Sequence, residues 1–281
     1  MSTEKFAYIT STAFSDPGLV REQNEDSYAS LPADGCFLVS DGMGGGAAGE
    51  IASQIVEERV ADAVAGTADD SPGSRKYAVQ QAIHGANRRI WDYARARDYV
   101  QMGATLVLFL ADSWDPRRAW LCHVGDSRIY RLRGGAAEPL TRDHTVGAEL
   151  AAKTADASFA EHTASAISHI LTRSVGVAGK VLPEWNAIDV APGDLYLVCS
   201  DGVSTMLTDR EIGAILAGDE QIGRIAAMLS DRVRRAGAHD NYTFILLRIA
   251  DELPEPETHS AEEEDESAYL LKISEERIDH A

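Results

Sequence analysis

Only three cysteines occur in the 281 residues, and Cys36, Cys122 and Cys199 lie far apart, each inside an apolar run. That excludes a disulfide framework and a Cys-rich zinc site, and points to core positions in a reducing compartment. Long apolar runs are missing too. No signal-peptide-like segment follows Met1, and no run approaches the ~20 apolar residues that cross a bilayer. The expectation is a soluble, cytoplasmic protein without a membrane partner. Positive charge is scarce: 26 Lys and Arg face 45 Asp and Glu, giving a formal net charge of −19. This argues against nucleic acid as a partner, because phosphate backbones reward clustered basic side chains. An anionic substrate must therefore meet positive charge supplied locally.

What the chain has in place of these is a phrase used twice, Phe37-Leu38-Val39-Ser40-Asp41-Gly42 and Tyr196-Leu197-Val198-Cys199-Ser200-Asp201-Gly202. Each apolar run reads as a buried strand that delivers an Asp-Gly pair at its exit, where the carboxylate leaves the core and Gly lets the backbone turn. Asn24-Glu25-Asp26 and His239-Asp240-Asn241 also abut strand-like segments. Four acidic loops beside strands suggest a site for hard cations. Carboxylates and carbonyls suit Mg or Mn, whereas zinc favours His or Cys clusters that no local spacing here provides.

The rest of the chain supplies a frame. Strands are expected over Phe6 to Phe14, Ala104 to Leu110, Ala119 to Val124, Ile129 to Arg133 and Thr243 to Ile249. Helices are expected over Gly49 to Val64, Lys76 to Ala96 and Glu220 to Ala236, with a capping box at Thr208-Asp209-Arg210-Glu211. Grouped strands and grouped helices, without strict βαβ alternation, favour an α+β layered fold.

At this point a resemblance becomes specific. Arg21-x-x-Asn24-Glu25-Asp26, Asp41-Gly42-Met43-Gly44-Gly45, Gly103-Ala104-Thr105, Val124-Gly125-Asp126-Ser127-Arg128, Leu171-Thr172-Arg173-Ser174-Val175-Gly176, Ser200-Asp201-Gly202 and Asp240-Asn241 follow the order seen in metal-dependent protein phosphatases of the 2C type. The match covers roughly residues 6 to 250. The resemblance implies a four-layer αββα sandwich, two antiparallel sheets flanked by helices, with a dinuclear Mn or Mg centre at one edge. It implies that Asp41 bridges the metals, with Glu25 and the Gly42 carbonyl on one ion and Asp201 and Asp240 on the other. Asp126, with Asp201, matches a third and weaker metal position; Asp26 and Asn241 would support the shell. Arg21 matches a phosphate-binding arginine, whose planar fork takes two phosphate oxygens at once.

The implied reaction is hydrolysis of phosphoserine and phosphothreonine by a hydroxide bridging two cations, with no phosphoenzyme. The implied partners are phosphoproteins, among them a serine/threonine kinase or its substrates; oligomeric state is not legible. Two alternatives share these residues: a pseudophosphatase that binds phosphoproteins without hydrolysis, and a stress-response phosphatase of an anti-sigma pathway. Taken singly, each Asp is an ordinary turn former or helix cap, and Arg21 an ordinary surface ion-pair member; only the ordered set favours a site. Asp126 and Ser127 read as a turn in that plainer view, while His144 and Arg173 read as structural.

One departure concerns Met43, where many eukaryotic relatives carry a His able to protonate the leaving alkoxide; a thioether cannot. One decoy is Cys122-x5-Arg128, the minimal spacing of cysteine-dependent phosphatases. Cys122 lies in a strand-like run and Asp126 would repel phosphate, so a core role is expected. Residues 145–170 align with the family's flap, a variable insert shaping substrate access. Beyond Ala250 the composition turns acidic, with twelve Asp and Glu against Lys272 and Arg277. Residues 251–281 therefore read as a solvated, disordered tail, with a partner-binding or regulatory element as the alternative.

Overall fold

Side-chain alternation along the strands decides the architecture. In β3 (Cys36–Met43), Phe37 and Val39 enter one apolar cluster while Cys36 and Leu38 enter another. β5 (Leu106–Ala111) repeats the pattern, with Val107 and Phe109 inward and Leu106, Leu108 and Leu110 outward. Strands buried on both faces need a cover on each side. The computed structural model describes residues 5–45, 47–99, 101–153, 169–218 and 221–276, and shows where those covers come from.

One sheet has the order β1 (Ile9–Asp16), β11 (Tyr242–Ile249), β10 (Leu195–Cys199), β7 (Arg128–Arg133) and β8 (Ala136–Pro139), with antiparallel neighbours throughout. The other runs β2 (Asp26–Leu31), β3, β5, β6 (Arg118–Val124) and β9 (Glu184–Asp189), also antiparallel, with the two-residue β4 (Gly103–Ala104) on the end of β3. Phe37, Phe109, Tyr196, Val198 and Ile245 fill the space between the sheets. Each such fully buried side chain contributes on the order of 2 kcal/mol.

Helices cover both outer faces. α1 (Ala47–Val64) and α2 (Pro72–Ala96) lay Ile55, Val56, Val60, Val79 and Ile83 on the β3 and β5 side. α5 (Asp209–Leu216) and α6 (Ile222–Arg235) cover Leu197, Phe244 and Leu246 of the other sheet with Ile212, Leu216, Ile225 and Leu229. The expected capping box opens α5: Thr208 Oγ1 accepts from Glu211 N–H at 3.3 Å, and Glu211 Oε2 accepts from Thr208 N–H at 3.0 Å. α4 (Asp201–Ser204) is a single turn at the exit of β10. α3 (Val146–Lys153) lies in the segment 145–170 expected to be a flap, of which residues 154–168 lie outside the described residues.

The structure departs from the sequence reading in the tail. Residues Ala261–Glu276 form α7, which packs against α2. Ser267 is buried, and its Oγ accepts from Gly73 N–H at 3.1 Å. Leu271 joins the α1/α2 cluster, and the His259 ring stacks on Trp114 with centroids 3.8 Å apart. The correction has a physical reason. The acidic run Glu262–Glu266 is exposed in the first turns of the helix, while the docking contacts come from Ser267 and Leu271 further along, so its charge need not oppose them. Ser260 also caps the start, its Oγ accepting from Glu263 N–H at 3.3 Å.

Candidate metal centre

β2 and β3 pair so that Asp26 lies directly opposite Asp41. Like charges across an antiparallel pair destabilise a sheet unless something neutralises them. β10 ends at Cys199 and the chain turns through Ser200 into α4, which places Asp201 against Asp41, close enough for their carboxyls to share a hydrogen bond. The loop entering β11 contributes Asp240, and the loop entering β2 contributes Glu25. Together with Arg21, Gly42 and Asp126, these residues line a polar cavity of about 290 Å³.

Burial, reinforced by neighbouring carboxylates, shifts the proton affinities of the group. Burial, reinforced by the Asp26 and Asp201 charges, holds the Asp41 carboxyl well above the usual carboxylate range; burial also raises Asp201, with the hydrogen bond to Asp41 opposing and the Asp240 charge adding to it. Burial and the Asp201 charge push Asp126 up to about 7. Asp26 is likewise pushed up to about 7 by burial, against the opposing hydrogen bonds of Thr243 and Ser200. Four carboxylates, Asp26 buried and Asp41, Asp126 and Asp201 half-buried, all held above the ordinary range, form an environment that cations would neutralise.

The donor set fits hard divalent ions on three counts. It is all oxygen, carboxylates with the Gly42 carbonyl in reach. Asp26 Oδ1 is buried with no hydrogen-bond partner. The space around Glu25 is shaped by absent side chains: a Cβ on Gly49 would fall 1.8 Å from Glu25 Oε2, and one on Gly42 would fall 2.1 Å from the Gly49 carbonyl. Those two glycines let the first turn of α1 close on the carboxylate and the end of β3.

A layer of polar side chains holds the carboxylates. Ser200 Oγ donates to Asp26 Oδ2 at 2.8 Å and accepts from Thr243 N–H at 3.0 Å, joining the two sheets beneath the site. Asn241 Oδ1 accepts from Glu25 N–H at 2.9 Å, while its Nδ2 donates to the Pro17 and Gln23 carbonyls. Thr105 brackets Asp41: its Oγ1 accepts from Asp41 N–H at 2.9 Å and its N–H donates to the Asp41 carbonyl at 2.8 Å. The same Oγ1 meets Ser127 Oγ at 2.8 Å. Thr105 and Ser200 carry no role in the sequence reading; the available signal is a hydroxyl flanking an apolar run, before Leu106 in one case and after Cys199 in the other. The sequence reading also missed His169, which lines the cavity together with Met43 and Leu171.

Arg21 is placed at the cavity, where its Nη2 donates to Asp240 Oδ2 at 2.8 Å. The cysteine decoy is resolved by burial: the Cys122 thiol lies fully buried in β6, and desolvation raises its pKa well above the ordinary thiol value. Arg128 is also committed elsewhere, with two 2.7 Å bonds to Asp143. A histidine cluster that the local spacing did not reveal does form in space. His123, His144 and Glu184 meet below the Asp126 loop, and burial holds His144 down to about 4.

Comparisons with known proteins bear on the family and the fold. The family profile described as protein phosphatase 2C matches residues 20–241. The serine/threonine protein phosphatase PstP of Mycobacterium tuberculosis is 35% identical over 242 residues, covering 85% of this chain and 45% of PstP. The chain thus spans just under half the length of that relative. The serine/threonine phosphatase stp of Listeria innocua is 31% identical over 238 residues, covering 83% of this chain and 92% of the relative. Among solved structures, the PstP catalytic domain in complex with two manganese ions superposes with a TM-score of 0.74 at 31% identity, covering 86% of this chain and 99% of that one. A family profile over most of the chain, relatives above 30% identity and a shared two-sheet fold establish that this chain belongs to the protein phosphatase 2C family.

Proposed function

We propose that this chain hydrolyses phosphoserine and phosphothreonine in proteins, opposing a serine/threonine kinase, with two Mn or Mg ions as cofactors. The observation that carries the reading is the convergence of Asp41, Asp201, Asp240 and Glu25 from both sheets on one polar cavity that also receives Arg21. Asp41, Glu25 and the Gly42 carbonyl would hold one ion, and Asp41, Asp201 and Asp240 the other; Asp126 with Asp201 would hold a weaker third. When bound, such a pair supplies a hydroxide nucleophile near neutral pH and offsets the charge on the phosphoryl oxygens.

The chain's own residues do the remainder. Arg21 binds phosphate oxygens and orients the phosphorus toward the carboxylate floor. Thr105, Ser200 and Asn241 keep that floor in place. Met43 contributes no proton. The imidazole of His169, on the same cavity wall, is assigned the proton that the departing seryl or threonyl oxygen takes up as its bond to phosphorus breaks.

The test is hydrolysis of an aryl phosphate and a phosphothreonine peptide in Mn, in Mg and in EDTA, using wild type, Asp41→Asn and Asp201→Asn. Turnover should require the metal. Each variant should lose more than the roughly 10- to 100-fold typical of disturbing an outer metal-shell partner. Undiminished turnover in EDTA would sink the reading. Metal-independent phosphopeptide binding without turnover would favour a pseudophosphatase.

A further inference from the structure

We infer that His144 is a positioning residue for the Asp126 loop, its imidazole holding Gly125, and with it Asp126, at the cavity. The inference rests on the reading of Asp126 as a cation-holding carboxylate. Gly125 leaves β6 with φ of +107°, a left-handed conformation that glycine tolerates, and a Cβ there would lie 2.7 Å from Thr105 Cγ2. Two bonds from one residue fasten it. His144 N–H donates to the Gly125 carbonyl at 2.9 Å, and Gly125 N–H donates to His144 Nδ1 at 3.2 Å.

Because Nδ1 accepts, the neutral ring carries its proton on Nε2. That atom lies 3.2 Å from Glu184 Oε2, the acceptor that fixes the tautomer. The ring plane is set by His123, stacked at 4.4 Å between centroids and 9° between planes, whose own Nε2 donates to the Arg142 carbonyl at 2.9 Å. Arg173 completes the brace, 4.0 Å from Glu184 Oε2. The His144 carbonyl also accepts from Thr172 N–H at 2.8 Å. Both ends of the flap segment therefore start from the residue that grips Gly125.

The same three side chains resemble a metal site, their ligand atoms lying within 4.8 Å of one another. Two near-parallel rings cannot both aim an in-plane lone pair at one ion. The Arg173 guanidinium also lies 3.3 Å from His144 Nε2, where an added cation would meet its charge. The cluster is built as a brace.

Mn2+ binding to the full chain, counted by calorimetry and by electron paramagnetic resonance of free ion, tests this in wild type, Asp126→Ala, His144→Ala and His144→Asn. Asp126→Ala should remove the weakest site. His144→Ala should weaken that site about 10- to 100-fold while leaving the tighter sites filled. His144→Asn, whose side-chain oxygen can accept from Gly125 N–H in place of Nδ1, should recover most of the loss. Wild-type weak-site affinity in folded His144→Ala, or an equal loss in His144→Asn, overturns the positioning role. Unchanged binding in Asp126→Ala instead overturns the Asp126 reading, and the inference with it. Should His144→Ala fail to fold, Glu184→Gln decides: a partial loss at the weak site supports the brace, and unchanged binding overturns it.

Discussion

Asp26 and Asp41 face each other across β2 and β3 because the register pairs them, with Asp26 buried beneath the cavity that Asp41 lines. Single residues at this site are therefore legible by what they lack. Met43 lacks a proton, and His169 sits on the wall where one is needed. A proton donor matters most when the departing oxygen is strongly basic, as in an alkyl phosphate, and little when it is a stabilised phenolate. His169→Gln should therefore lower kcat on a phosphothreonine peptide by about 100-fold while changing turnover of p-nitrophenyl phosphate only about twofold. Parallel steady-state kinetics on the two substrates measure the contrast. An equal loss on both would make His169 a structural or binding residue.

At the scale of elements, the site depends on where strands stop. β10 stops just before Asp201, β3 carries Asp41 two residues before its end, and the loops before β2 and β11 bring Glu25 and Asp240 to the same edge. α7 belongs to a different part of the molecule. It packs on α2 through buried Ser267 and half-buried Leu271, and none of its described residues lines the carboxylate cavity. Truncation after Asp251 should thus remove a few kcal/mol of stability by exposing α2 and leaving the Gly73 N–H without its Ser267 partner. Aryl phosphate turnover at a temperature where the protein stays folded should remain within about twofold of wild type. Thermal melting and turnover on the two proteins check this. Lost turnover in a folded truncation would tie α7 to catalysis.

At the scale of the whole molecule, the buried carboxylates make stability depend on pH and metal together. With cations removed by chelation, Asp26 and Asp126 have affinities raised from 3.8 to about 7. A raised folded-state value gives stability that is fully present below the unfolded value and lost as pH rises through the folded one. The melting temperature of EDTA-treated protein should fall from about pH 4 to about pH 7 and level off by about pH 8, and Mn2+ should raise it more at about pH 8, where fewer protons compete. Scanning fluorimetry with and without Mn2+ checks the sign. A metal-independent profile would show that these carboxylates do not meet cations.

The sequence alone determined the alternating strands, the main helices, the capping box before α5 and the ordered acidic motifs, because each is a local pattern read within a few residues. The same locality placed Asp201 at a strand exit; Asp41, expected at one as well, lies within β3, which continues through Met43 because β4 pairs with its end. Only the tertiary structure decided which of those groups meet. The Asp26–Ser200 link joins different sheets, the Thr105 bracket spans 64 residues to Asp41, and Arg21 reaches Asp240 across 219. His123, His144 and Glu184 showed no local spacing, since they gather only when β6, the flap root and β9 align. The tail reads as disordered from its charge, yet it docks, because net charge describes a segment's average while packing depends on the one face of α7 that carries Ser267 and Leu271.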